Sequence, residues 1–296
     1  MKIDDFSHWV RERQQDVERA LERWVSDDSP AGLGSVMRYA VLDGGKRLRP
    51  LLVMAAAEAV SGDAAAALRA AVSVELIHAY SLVHDDMPCM DNDILRRGKP
   101  TVHVKYGEAQ AMLAGDAMQA LAFEVLTPDA GMSPPLMSTL VRLLARASGH
   151  AGMAGGQAID LASVGRQLDE KSLRDMHRRK TGVLLQASVM MGAACSPAAD
   201  AAALAALSDY GAAVGLAFQV VDDVLDVTQD SEVLGKTAGK DVDQNKPTFV
   251  SLLGLEAAQK YAYDLRDQAH AALARSGLGQ AAYLACLADK IVERDN

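Results

Sequence analysis

From Ala64 to His84 the chain is apolar almost all the way round, and the next nine residues, Asp85-Asp86-Met-Pro-Cys-Met-Asp91-Asn-Asp93, carry four aspartates. A helix without a polar face has to lie inside a bundle of other helices. An acidic cluster at its C-terminal end sits where the helix dipole disfavours negative charge, so a cation is expected there. Pro88 cannot continue a regular helix, and the chain should turn at it and bring Asp91 back toward Asp85.

The rest of the sequence has the same character. Val17, Leu21 and Trp24 recur at helical spacing among charges, and Pro50 is placed to start a helix through Ala59. Further helical stretches are expected at Gln110–Leu126, Pro135–Ser148, Ser172–Cys195, Ala199–Val227, Phe249–Ala274 and Gln280–Glu293. Breaks fall at Asp28–Gly34, Asp43–Gly45, Thr127–Pro135, Gly165–Asp169 and Asp230–Pro247. Aromatic residues are only 4%, and the abundant Ala, Leu and Met favour helix over strand. No composition shift divides the chain, so residues 1–296 read as a single all-α domain.

Lys plus Arg number 30 against 39 Asp plus Glu, a net charge of −9 that argues against nucleic-acid binding. The three cysteines, Cys89, Cys195 and Cys286, are too far apart for a disulfide framework or a zinc site. With a charged N-terminus and interrupted apolar stretches, the expectation is a cytoplasmic protein without stable membrane insertion.

A second acidic cluster, Asp222-Asp223-Val-Leu-Asp226, lies among Phe218, Val220, Val221, Val224, Leu225 and Val227. Asp222 and Asp226 share one helix face, and carboxylates in such company are costly unless paired or metal-bound. Two acidic clusters suit a hard divalent cation such as magnesium, which completes its shell with water and substrate phosphates. Positive charge gathers in four places: Gly44-Gly45-Lys46-Arg47-Leu48-Arg49-Pro50 before a helix N-terminus, Arg96-Arg97-Gly98-Lys99, Arg178-Arg179-Lys180-Thr181, and Lys236, Lys240 and Lys246 in the longest break. Cations beside metal-type acids in a net acidic chain point to a polyanionic ligand.

Other patterns fail. Gly235-Lys236-Thr237 resembles the end of a P-loop, but residue 230 is Asp where that motif needs Gly, and no strand precedes it. Glu75-Leu-Ile-His78 has di-iron spacing without a second copy. His84 adjoins Asp85 without a partner at ligand spacing and reads as an orienting residue.

Taken together, these segments resemble the short-chain trans-prenyl diphosphate synthases, most of all bacterial farnesyl diphosphate synthases. Gly44–Pro50 is similar to the family's GGKRxRP, and Ile77–Gly98 to its first aspartate-rich motif with a four-residue spacer. Gly152–Leu161 (GMAGGQAIDL), Lys180-Thr181, Phe218–Asp226 and Gly235-Lys236 complete the likeness over nearly the whole chain. The resemblance implies an isoprenoid-synthase-type bundle of about ten to thirteen mostly antiparallel helices around a deep central cavity, usually a homodimer. It implies head-to-tail condensation of isopentenyl diphosphate with dimethylallyl or geranyl diphosphate. On that resemblance Asp85, Asp86 and Asp91 bind two magnesium ions and Asp222, with Asp223 and Asp226 nearby, a third; manganese is an alternative. Arg96, Lys180, Thr181, Gln219, Lys236 and Lys246 hold the allylic diphosphate, while Lys46, Arg49, His78 and Arg97 hold isopentenyl diphosphate. Lys180, Thr181, Gln219 and Lys236 act on the leaving group.

Product length is expected to be set before Asp85, since one isoprene unit is about as long as one helical turn of 5.4 Å. Ser81 lies one turn below Asp85, and a large Tyr80 beside a small Ser81 goes, in the family, with a fifteen-carbon product. Met112 or Met118 on a facing helix is the alternative floor. The chain ends Arg294-Asp295-Asn296 where family members often carry an Arg-x-Lys tail, so any C-terminal cap is weakened or differently built. The competing readings are a geranyl or geranylgeranyl diphosphate synthase, a terpene cyclase, a non-catalytic subunit of a heteromeric synthase, and a metal-binding bundle without catalysis. A cyclase has no use for a second anion site, a non-catalytic subunit should have lost aspartates, and a simple metal bundle leaves the basic patches unexplained.

Overall fold

The computed structural model describes residues 3–42, 44–166, 168–229 and 247–294. Lys236, Lys240 and Lys246 lie outside the described residues. Helix α1 runs over Ile3–Trp24, with Asp4 and Asp5 in its first turn and Arg23 in its last, both favourable to the dipole. It therefore starts well before Val17. Its Trp9 stacks on Tyr283 at 4.4 Å and donates to Glu58 at 2.9 Å, tying the two ends of the chain together. Helix α2 (Leu33–Val41) begins inside a stretch expected to be a break; it is too short to show a clear period. Helix α3 covers Leu48–Ala59, two residues earlier than Pro50 suggested. Pro50 still falls in the first turn, where its missing N–H has no partner to lose.

Helix α4 (Ala64–Asp85) is capped by Asp63, whose side chain accepts from the Ala66 amide at 2.7 Å. After it come a hairpin of β1 (Leu95–Arg96) and β2 (Lys99–Pro100), then α5 (Val102–Tyr106), α6 (Glu108–Val125), α7 (Pro134–Ser148) and α8 (Met153–Ala162). The stretch read as one helix from Ser172 to Cys195 is three pieces: α9 (Glu170–His177), a π turn at Arg178–Gly182, and α10 (Val183–Ala194). Helix α11 (Ala201–Thr228) is followed by α12 (Phe249–Leu253), α13 (Leu255–Arg275) and α14 (Ala282–Val292). Among the described residues this makes twelve helices of eight residues or more and two of five, matching the expected all-α fold.

Helix α4 packs between α3 and α6, α10 joins α3 to α11, and α11 lies along α13. The main core is built from Leu52, Leu76, Ile77, Met118, Leu140, Leu144 and their neighbours. A second core under the far half of α11 holds Val220, Val224, Phe249 and Leu265 and fixes the helix that carries Asp222. Helices α4 and α11 are long and apolar enough to cross a membrane, but 72% and 50% of their apolar windows are buried inside the protein. Their lack of polarity is explained by helix-on-helix packing.

Candidate active site

The ends of α4 and α11 face a cavity of about 680 Å³ whose wall also includes the start of α3, the hairpin, α8, the π turn and Arg294. After α4 the chain folds back as Pro88 suggested: the Asp91 amide donates to the Asp85 carbonyl at 2.8 Å, and the Asp93 amide to the Asp86 carbonyl at 3.1 Å. Asp85 and Asp91 thereby reach the cavity wall. Burial pushes the Asp85 carboxyl up to about 6, and the charges of Asp91 and Asp86 push the same way against the pull of Lys180. Asp86 is turned elsewhere. It is buried and accepts a two-pronged bond from Arg96 at 2.5 and 2.8 Å, away from the cavity wall. Arg96, expected on a phosphate, reaches the wall but already has this partner.

On α11, Asp222 and Asp223 line the cavity, and Asp226 is buried off its wall. Asp223 accepts from Gln219 at 2.8 Å and from the Phe249 amide at 2.7 Å. Gln219 in turn accepts from the Thr181 hydroxyl at 3.0 Å, so Thr181, Gln219 and Asp223 form one hydrogen-bonded chain across the wall. Lys180 enters beside them, paired with Asp160 at 2.5 Å. The π turn accounts for Lys180 and Thr181 pointing inward while Arg178 and Arg179 do not. An extra residue in the turn rotates the helix face, and Arg178 and Arg179 pair with Asp175 at 2.5 and 2.7 Å instead.

The Gly-Gly-Lys-Arg segment divides its cations in the same way. Lys46 and Arg49 line the cavity. Arg47 is buried and donates to Glu75 at 2.6 Å, Glu18 at 2.7 Å and the Val41 carbonyl at 2.6 Å. Breaking such a buried network costs about 3–5 kcal/mol, so Arg47 serves the fold. Gly44 and Gly45 have φ of +113° and +115°, a region L side chains avoid. A side chain at Gly45 would also strike the Arg97 guanidinium, 2.7 Å from where a Cβ would sit. Arg97 comes from the hairpin turn, where Arg97 and Gly98 both have positive φ, and it donates to the Gly44 carbonyl at 2.9 Å. Lys46, Arg49, Arg97 and Arg294 feel one another's charge, and the Lys46 ammonium is held below its usual range by burial and then by Arg294. His78, beside Arg49 and Arg97, is kept neutral by burial and their charge.

Among the wall residues not singled out from the sequence are Gln157, Asp160 and His177, while Arg294 was noted only for its place in the tail. Gln157 and Asp160 share a face of α8; the only signal was their place in GMAGGQAIDL. His177 is buried with neither ring nitrogen hydrogen-bonded among the described residues, 3.9 Å from Asp223 and stacked on Phe249 at 5.3 Å. Burial lowers it to about 4. Arg294 bonds Asp222 through its guanidinium, donates to the Phe218 carbonyl at 2.9 Å and lies 4.0 Å over the Phe218 ring. Asp295 and Asn296, the rest of that departure from Arg-x-Lys, lie outside the described residues.

Among the described residues no three of His, Cys, Asp and Glu converge tightly enough to hold an ion alone. The oxygen-only pairs Asp85/Asp91 and Asp222/Asp223 still fit magnesium, which takes few protein ligands and completes its shell from water and phosphate.

A family model for polyprenyl synthetase matches residues 30–277. The chain belongs to that family. It is 48% identical over 276 residues to a "Probable farnesyl diphosphate synthase" of Bradyrhizobium diazoefficiens, covering 91% of this chain and 82% of that one. It is 44% identical over 294 residues to a chloroplastic geranylgeranyl pyrophosphate synthase of Capsicum annuum, covering 99% and 79%. A crystal structure of a Helicobacter pylori geranyltransferase complexed with magnesium and isoprenyl diphosphate superposes with a TM-score of 0.84 at 35% identity, covering 96% and 98%. Family membership makes the chain a prenyl-transferring synthase, as the motifs implied.

Proposed function

We propose that this member of the family condenses isopentenyl diphosphate with dimethylallyl and then geranyl diphosphate to release farnesyl diphosphate and diphosphate. One observation carries the reading: a single cavity holds two acidic pairs, two separate groups of cations, and Tyr80 with Ser81 below Asp85. Asp85, Asp91, Asp222 and Asp223 would hold magnesium, about three ions with manganese as an alternative, and bound metal supplies Lewis-acid neutralisation of the departing diphosphate. Asp86 and Asp226 act in this reading by supporting the carboxylates beside them.

Lys180, near Asp85 and Asp91, binds the allylic diphosphate and stabilises it as the C1–O bond breaks and the electron pair leaves with it. Arg96 adds charge from its position against Asp86, and Lys236 and Lys246 are assigned the same role on sequence alone. Thr181 and Gln219 orient this end of the wall through their hydrogen bond. Lys46, Arg49 and Arg97, with neutral His78, hold isopentenyl diphosphate so that its double bond attacks the allylic C1. The proton lost in closing the new double bond passes to the departed diphosphate. The apolar interior keeps water from the carbocation.

Tyr80 forms the floor, and the small Ser81, whose hydroxyl is turned onto the His78 carbonyl at 2.8 Å, leaves room above it. Met118 is fully buried and Met112 is 41% exposed, and neither is on the cavity wall, which favours Tyr80. We assign residues 1–296 to one domain, working in the cytoplasm as a homodimer. Exposed Val104, Met112 and Leu113 on α5 and α6 support the pairing.

Purified protein incubated with magnesium, radiolabelled isopentenyl diphosphate and dimethylallyl diphosphate should give a dephosphorylated product of fifteen carbons. A twenty-carbon alcohol would move the assignment to the activity named for the Capsicum annuum relative. Cyclic products from added geranyl or farnesyl diphosphate, with no isopentenyl consumption, would make it a cyclase, and no product at all would make it a non-catalytic subunit.

A further inference from the structure

We propose that His84 and Gly115 form a positioning pair that sets the depth of the prenyl-chain cavity by holding the Tyr80 ring in place. The proposal rests on the reading of Tyr80 as the floor. His84 follows Tyr80 by one helical turn on α4, so the two lie on the same face. Their rings meet edge to face with centroids 5.7 Å apart, and both line the cavity. The imidazole is fixed from the other side by α6. Its Nε2 is 3.1 Å from the Met112 carbonyl. A carbonyl only accepts, so Nε2 carries the proton that it donates.

The ring also fills the notch left by the missing side chain at Gly115. A Cβ there would lie 2.6 Å from His84 Cδ2 and 2.7 Å from Cε1, closer than such atoms approach. One turn further along α6, the Gln119 side chain sits beside the Tyr80 hydroxyl. Residues 112, 115 and 119 are spaced three and four apart and so present one face of the helix. That face offers a carbonyl and a notch, and together they hold the His84 ring against Tyr80. Nothing in the magnesium chemistry needs a glycine at 115 or a ring at 84. Both are explained by where they leave Tyr80.

The geometry gives opposite effects for the two partners. A methyl group at 115 drives the imidazole out of its notch toward Tyr80 and the cavity, where growth of one isoprene unit needs about one helical turn of length. Removing the imidazole takes away the edge support and lets the Tyr80 ring swing aside. The test is the product-length distribution from dimethylallyl and labelled isopentenyl diphosphate for wild type, Gly115→Ala, His84→Ala, the double variant and Tyr80→Ala. Gly115→Ala should raise the ten-carbon share severalfold. His84→Ala should raise the share of twenty carbons or more, and the double variant should match His84→Ala, because the added methyl then has no ring to push. A purely structural role would lower melting temperature or turnover and leave the distribution alone.

Unchanged distributions in His84→Ala and Gly115→Ala, with a changed one in Tyr80→Ala, would overturn the pair and spare the floor. Equal shortening by Gly115→Ala with and without His84 would also overturn it. An unchanged Tyr80→Ala overturns the floor and the pair together. If Gly115→Ala fails to fold, His84→Ala decides alone, since it deletes a partly exposed ring and adds no clash.

Discussion

Asp85 and His177 show how much the chemistry of this cavity depends on single buried groups. Asp85→Ala or Asp222→Ala should each lower turnover by at least 10²–10³, since even one lost transition-state contact costs about that much. Steady-state assays with saturating magnesium check this, and near-normal turnover in either variant would break the metal assignment. The two buried groups also have opposite signs in acid. His177 is lowered from 6.5 to about 4 by burial. The unfolded chain therefore binds its proton first, and this group costs stability as pH falls from about 6.5 toward 4, on the order of 3 kcal/mol. Asp85 is raised from 3.8 to about 6, so its contribution to stability falls as pH rises between those values. In metal-free protein the two slopes oppose each other. Urea melts at several pH values should show His177→Gln gaining relative stability toward pH 4 and Asp85→Asn gaining it toward pH 7. Parallel pH profiles for wild type and both variants would contradict the burial argument.

At the scale of elements, the π turn at Arg178–Gly182 depends on how closely α8 approaches it. A Cβ at Gly156 would meet the backbone of Lys180 and lie 2.8 Å from the Arg179 carbonyl carbon. Backbone atoms cannot swing away as a side chain can, so Gly156→Ala should force the two elements apart. Overpacking of this kind costs roughly 1–3 kcal/mol, which for a chain of this size is a fall of several degrees in Tm. The same step stretches the Lys180–Asp160 pair across the two elements. Turnover should therefore fall together with Tm; full turnover at reduced Tm would separate α8 from the chemistry. The C-terminal turn offers a second case. Arg294 occupies Asp222, a proposed metal ligand, through a charge-assisted bond, and such bonds are worth about 1.5–3 kcal/mol. Metal has to displace it, so Arg294→Ala should tighten binding of manganese, counted by electron paramagnetic resonance without substrate, by about tenfold. Equal affinity in both proteins would mean that Arg294 leaves Asp222 at no cost.

At the scale of the whole molecule, α5 and α6 carry large apolar side chains left open to solvent. Val104, Met112 and Leu113 are 50%, 41% and 52% exposed. Exposed large apolar groups can mark association surfaces, and the proposed homodimer names the partner, a second copy of the chain. Leu113→Glu should convert a sedimenting dimer to monomer in analytical ultracentrifugation at micromolar concentration. A wild type that sediments as a monomer would remove the dimer from the proposal. Gly115 lies on this same helix, so a change of assembly can be felt in the cavity as well.

Periodicity and composition were enough to fix the helical class, because apolar spacing reports directly on which faces are buried. The same holds for the return of Asp91 to Asp85: Pro88 and the spacing required it. What the sequence could not assign was the partner of each charge. Arg47, Lys46 and Arg49 look alike in a row, yet one closes a buried network with Glu75 and Glu18 while the other two face the cavity. Asp86 looks like Asp85, yet Arg96 takes it. Arg178 and Arg179 look like Lys180, yet a π turn sends them outward. Those choices depend on the angle at which one helix meets another. That angle is set by contacts between residues far apart in the chain, so only the tertiary structure decided them.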